Sequence, residues 1–137
     1  MKSLVTVLMI CCTVNFLQAQ SAKATASPVS WLSGTSHDFG RILQNTPASY
    51  IFEFSNTGKD PVTITRVQPS CSCTALDYTR EEILPGKKGL IKISYNAHTA
   101  GMFNKTITVT TDPGSDNTIL TITGEVVQKA EQVRKPQ

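Results

Sequence analysis

The chain has 137 residues, 13 basic against 10 acidic side chains, and a net charge of +3. That length fits a single domain. The charge is too small for the basic face or stripe of a nucleic-acid binder.

The opening "MKSLVTVLMICCTVNFLQAQ" carries one charge, Lys2, before Lys23. Leu4 to Leu17 form an apolar run shorter than the roughly 20 residues of a membrane span. A basic start, a short apolar centre and the small Ala19 predict a signal peptide over residues 1–19. Cleavage there removes Lys2, leaves a net charge of +2, and leaves no stable membrane span. Cys11 and Cys12 fall inside this segment, and Ile10 is a poor neighbour for lipid attachment. The expected location is therefore secreted or periplasmic, where thiols meet an oxidising environment.

Residues 20–35 begin small and polar ("QSAKATASPVS") and read as a flexible lead. Trp31 precedes the first strong strand and is expected to cap one end of the core. From Ser36 to Val127 apolar residues recur at every second position, the strand period. Tyr50, Phe52 and Phe54 alternate with Ile51, Glu53 and Ser55, and Ile91, Ile93 and Tyr95 with Lys92 and Ser94. Val62 and Ile64, Ile107 and Val109, and Leu120 and Ile122 alternate with threonines. Such strands bury one face, as in an antiparallel sandwich. Turns fall at "NTGKDP" (Asn56–Pro61), where Gly58 is free to take positive φ and Pro61 blocks continuation, at "LPGKKG" and at "TDPGSDN". The spacing predicts an all-β, single immunoglobulin-like antiparallel β-sandwich of about seven strands over residues 36–127. Residues 128–137 are polar and read as a disordered tail.

Five stretches in order carry a family resemblance: "HDFGRI" (His37–Ile42), "FEFSNTGKDPVTITRVQPSCSCT" (Phe52–Thr74), "ILPGKKGLIKISYN" (Ile83–Asn96), "GMFNKTITVTTD" (Gly101–Asp112) and "LTITGEV" (Leu120–Val126). The chain resembles the domain-of-unknown-function family DUF1573, exported bacterial proteins abundant in the Bacteroidota. The resemblance implies an immunoglobulin-like sandwich of the Hydin and major-sperm-protein kind, and no established activity. The residue between the two cysteines, often glycine in that family, is Ser72 here.

Four readings of Cys71 and Cys73 stand. On an extended strand their Cβ atoms lie beyond disulfide reach, so a bond between them requires a turn. Two thiolates on one face suit a soft ion such as copper, with His98 or Met102 completing the ligands. A redox dithiol is the third reading, although the spacing is shorter than C-x-x-C and no helix follows. Packing as small hydrophobes is the fourth. His37 and Asp38 lack a nucleophile with its own oxyanion donors. No phosphate loop, zinc-protease motif or nucleophile elbow occurs. The expectation is an exported, non-enzymatic interaction module whose partner is an envelope or extracellular protein. Its contact surface is expected at Cys71–Thr74 and His98–Met102. The alternative is copper binding through Cys71, Cys73, His98 and Met102.

Overall fold

The structure, a computed structural model, describes residues 27–114 and 117–129. The expected signal peptide, the start of the lead, Asp116 and most of the tail lie outside the described residues. Among the described residues eight strands form: β1 (Val29–Trp31), β2 (Ser36–Leu43), β3 (Ala48–Asn56), β4 (Thr63–Pro69), β5 (Thr74–Tyr78), β6 (Lys88–Tyr95), β7 (Gly101–Asp112) and β8 (Asn117–Val127). One sheet has the order β1-β3-β6-β5 and the other β2-β8-β7-β4. The period-2 pattern explains the pairing of faces. Phe52, Phe54, Ile91, Ile93 and Tyr95 point inward from the first sheet. Ile64, Phe103, Ile107, Val109, Leu120, Ile122 and Val126 meet them from the second. Each large apolar side chain buried this way contributes about 1.5–3 kcal/mol.

Two details differ from the expected sandwich of about seven strands. Among the described residues an eighth strand forms, because Val29–Trp31, inside the expected flexible lead, pairs antiparallel with Phe54–Asn56 of β3. Three residues are too few to register as a period. Trp31 lies 5.2 Å from Phe54 between ring centroids and covers the margin of the core. The sandwich is also not wholly antiparallel, since β2 runs parallel to β8. The chain changes sheets between β1 and β2, passing Gly34 at φ 72°. A β-bulge then interrupts β2 between Asp38 and Arg41. Gly40 supplies the positive φ of 64° there, and its N–H donates to Asp38 Oδ1 at 2.9 Å.

The turn after β3 is built around Asn56, which is 1% exposed. Its Nδ2 donates to the carbonyls of Asp60 and Ile83, both at 2.8 Å. Its Oδ1 accepts the Gly58 N–H at 2.8 Å, so "NTG" closes as an Asx turn. Gly58 does not use its freedom to take a positive φ. Glycine is required there by space: a Cβ would stand 2.9 Å from Pro28 Cβ and 3.2 Å from Asn56 Oδ1.

Candidate functional site

β4 ends at Pro69 in one sheet, and β5 begins at Thr74 in the other. The chain between them must bend, and both sides of the bend are anchored. The Ser70 N–H donates to Thr106 O at 2.8 Å, and the Thr106 N–H donates to Ser70 Oγ at 3.1 Å. The Asn96 N–H donates to Cys73 O at 3.1 Å. The bend draws the Cα atoms of Cys71 and Cys73 to 5.3 Å, and the two sulfurs are bonded. That separation lies within the usual range for a disulfide. Ser72 meets the turn without a positive φ, so a side chain is tolerated there.

The bond belongs to the chemistry of the turn more than to the stability of the fold. Chain-entropy bookkeeping gives a loop this short roughly 1.5 kcal/mol, about half the value for a 15-residue loop. Replacing both cysteines with serine is therefore expected to lower the unfolding free energy by about 1–2 kcal/mol in urea denaturation, with the sandwich retained. Cys73 packs against the core cluster. Cys71 Sγ lies 3.7 Å from Thr74 Oγ1, and Thr74 is only 6% exposed.

The four-residue copper set is not assembled. The bonded sulfurs present no thiolate to a soft ion. His98 lies in the loop after β6, two residues beyond the Asn96 contact to Cys73. Its Nδ1 is 3.0 Å from Asn45 Oδ1, and its carbonyl accepts from Gln44 Nε2 at 2.8 Å. Met102 stands on β7 opposite Glu125 of β8, in the other sheet, and is 90% exposed. Four residues of strand separate it from Thr106, the partner of Ser70, which is about 13 Å along β7. Among the described residues no group of three or more His, Cys, Asp or Glu is placed to hold a metal ion. The sequence places all four residues in or beside loops. Only the topology shows that the sandwich sends His98 toward the β2–β3 turn and Met102 to an outer sheet face.

His37 and Asp38 are both engaged structurally. The His37 ring stacks on Tyr50 at 3.5 Å between centroids and meets Phe39 edge-on at 4.7 Å. Asp38 closes the bulge at Gly40.

The feature missed in the sequence is the free edge of β5. The four sheet edges are β1, β5, β2 and β4. β1 has three residues, β2 is bulged at Asp38–Arg41, and β4 is bulged at Ile64–Arg66 and ends in proline. Short length, bulges and proline are the usual ways of blunting an edge. β5, "TALDY", pairs regularly with β6 from Thr74↔Tyr95 to Tyr78↔Ile91 and has none of them. Its ladder alternates. The Cys73 carbonyl accepts from the Asn96 N–H just beyond β6, and the Thr79 N–H donates to Leu90 O of β6, so the odd-numbered positions face β6. The N–H and C=O groups of Thr74, Leu76 and Tyr78 consequently point away from β6, to a side where no other described strand pairs with β5. Beside this edge, on the outer face, Ile51 (45% exposed) and Leu90 (41%) border a shallow depression of about 300 Å³ with Asp77, Tyr78 and Lys92. The signal for it was the second set of alternating positions in β3 and β6, where Ile51 and Leu90 are apolar on the solvent side.

Comparison with known proteins gives the same architecture. A Porphyromonas gingivalis W83 protein of unknown function superposes with a TM-score of 0.62 at 19% identity, over 72% of this chain and 46% of that one. This chain thus spans under half the length of that protein. The ASH/PapD-like domain 7 of human CEP192 matches with a TM-score of 0.60 at 10% identity, covering 74% of this chain and 86% of that domain. The YadV chaperone matches at 0.53 and 15% identity, over 72% of this chain and 52% of its own. These likenesses establish the immunoglobulin-like, PapD-like fold. No curated protein matches the chain. The profile of the family described as "protein of unknown function (DUF1573)" matches residues 31–126, from Trp31 in β1 to Val126 in β8, and the chain therefore belongs to the DUF1573 family.

Proposed function

We propose that this protein is an exported, non-enzymatic interaction module that takes an extended segment of a partner protein along β5. The observation that carries it is the β5 edge: a regular, unblunted strand whose outward backbone groups at three residues pair with no other described strand, beside apolar Ile51 and Leu90. An extended peptide added to such an edge gains main-chain hydrogen bonds, and pockets for alternate side chains give it specificity. The bonded cysteine pair suits an oxidising compartment, as the apolar opening segment suggests. The use of His37 and Asp38 in stacking and bulge closure supports a binding role over catalysis. The expected contact surface at Cys71–Thr74 adjoins this edge, whereas Met102 faces away from it on the other sheet.

The test is crosslinking capture from the cell envelope with tagged full chain, run beside Leu90→Glu and Leu76→Pro. Proline at Leu76 deletes an N–H that points away from β6, so the β5·β6 ladder survives. The wild type is expected to capture a discrete partner, and each variant to lose at least tenfold of it with the fold intact by circular dichroism. Undiminished capture by folded variants would remove β5 as the binding edge.

A further inference from the structure

We infer that Cys71–Cys73 is a thiol–disulfide exchange site, open to the dithiol of a partner protein, with Thr74 as the residue that positions the leaving sulfur. Three observations converge. The bond closes over a single intervening residue, Ser72, which is exposed at the outside of the turn. Both cysteines are only half-buried, so an attacking thiolate has access. The hydroxyl of the buried Thr74 has Cys71 Sγ as its hydrogen-bond partner at 3.7 Å, while Cys73 packs toward the core without such a partner.

A hydroxyl aimed at one sulfur favours the state in which that sulfur is a thiolate, because a hydrogen bond to the charged form lowers its energy. Exchange is faster when the leaving thiol is the more acidic one. The partner's thiolate therefore attacks Cys73 Sγ. The electron pair of the S–S bond moves to Cys71 Sγ, which leaves as a thiolate against Thr74 Oγ1–H and then takes a proton. The partner's second thiol attacks the mixed disulfide and expels Cys73, which is protonated in turn. Two electrons and two protons pass to this chain, and the partner is left with a disulfide. The backbone anchors on either side hold Ser70 to Thr106 and Cys73 to Asn96 throughout. The two thiols thus stay adjacent, and the reverse reaction can close them.

The oxidised full chain is incubated with about 10 mM reduced glutathione, a monothiol probe of the same exchange chemistry. Free thiols are then counted by mass-tag alkylation, and Trp31 fluorescence reports the fold. The wild type is expected to open while Trp31 keeps its native emission, with the glutathione adduct on Cys73. Thr74→Val is expected to exchange at least fivefold more slowly, and Thr74→Ser to recover most of the rate. A bond that opens only when urea unfolds the chain overturns the exchange site. An adduct confined to Cys71, or a Thr74→Val rate equal to wild type, overturns the role of Thr74.

Discussion

Asn56→Ala is expected to destabilise the domain by about 3 kcal/mol, seen as a lower urea midpoint at an unchanged slope. The side chain is 1% exposed, and both its N–H donors and its oxygen bond backbone groups of two separate loops. Nδ2 serves the carbonyls of Asp60 and Ile83, and Oδ1 serves the N–H of Gly58. Truncation leaves these groups short of partners, at about 1–3 kcal/mol for each one that water cannot reach. The loss is partial at Ile83, whose carbonyl also accepts from the Val62 N–H at 2.9 Å, and at Asp60, which is solvent-exposed. Asn56→Asp separates size from hydrogen bonding. It keeps the acceptor for Gly58 but turns a carboxylate toward two carbonyls. A protonated carboxyl can donate one of the two lost bonds. Burial against carbonyls favours the neutral carboxyl, so its deficit is expected to be smallest in acid and to widen from the ordinary carboxylate range upward, until the raised folded-state value is passed. A deficit independent of pH would show that the two carbonyl contacts contribute little.

The strands were legible where one face is buried over several residues. Phe52 and Phe54 in β3, Ile91 and Ile93 in β6, and Ile107 and Val109 in β7 alternate because successive side chains leave a strand on opposite sides. β1 was not legible because three residues give no period, and Trp31 reveals itself only through its place against Phe54. β5 was not among the alternating runs. In Thr74–Tyr78 the inward positions are threonine, leucine and tyrosine, a weak contrast with Ala75 and Asp77. The parallel pairing of β2 with β8 joins segments about eighty residues apart, and no local pattern encodes such a choice. For the cysteines, the sequence stated the condition correctly: a bond needs a turn. Whether the turn exists depends on β4 and β5 lying in different sheets, a fact of topology. Gly58 teaches the opposite lesson. The residue was noticed for its freedom of φ, yet it is glycine because Pro28 and Asn56 leave no room for a Cβ.

Gly89 presents the same steric constraint deep in the core. It sits in β6 directly opposite Phe54 of β3 and is buried. The Phe54 ring lies across it, so a Cβ would meet ring atom Cε1 at 2.7 Å and Ile83 Cδ1 at 2.6 Å. Neither neighbour can swing into solvent, because Phe54 is fully buried beneath Trp31 and Ile83 is 2% exposed. Gly89 does not have a positive φ, so Gly89→Ala gains roughly 0.4–1 kcal/mol from the stiffer unfolded chain. Overpacking of a filled core costs about 1–3 kcal/mol and sometimes more. With two clashing neighbours the overpacking dominates. Gly89→Ala is expected to lose about 2 kcal/mol, and Gly89→Val, which adds two further methyl groups, about 3 kcal/mol or more. The mechanism has its own signature in a double-mutant cycle. Phe54→Leu alone leaves a cavity, but in the Gly89→Ala background the smaller side chain makes room for the new methyl. The pair is expected to be less destabilised than the sum of its members by about 1–2 kcal/mol. Additive losses would mean that the Phe54 ring yields without cost and that the glycine is held by something other than the packing of that ring.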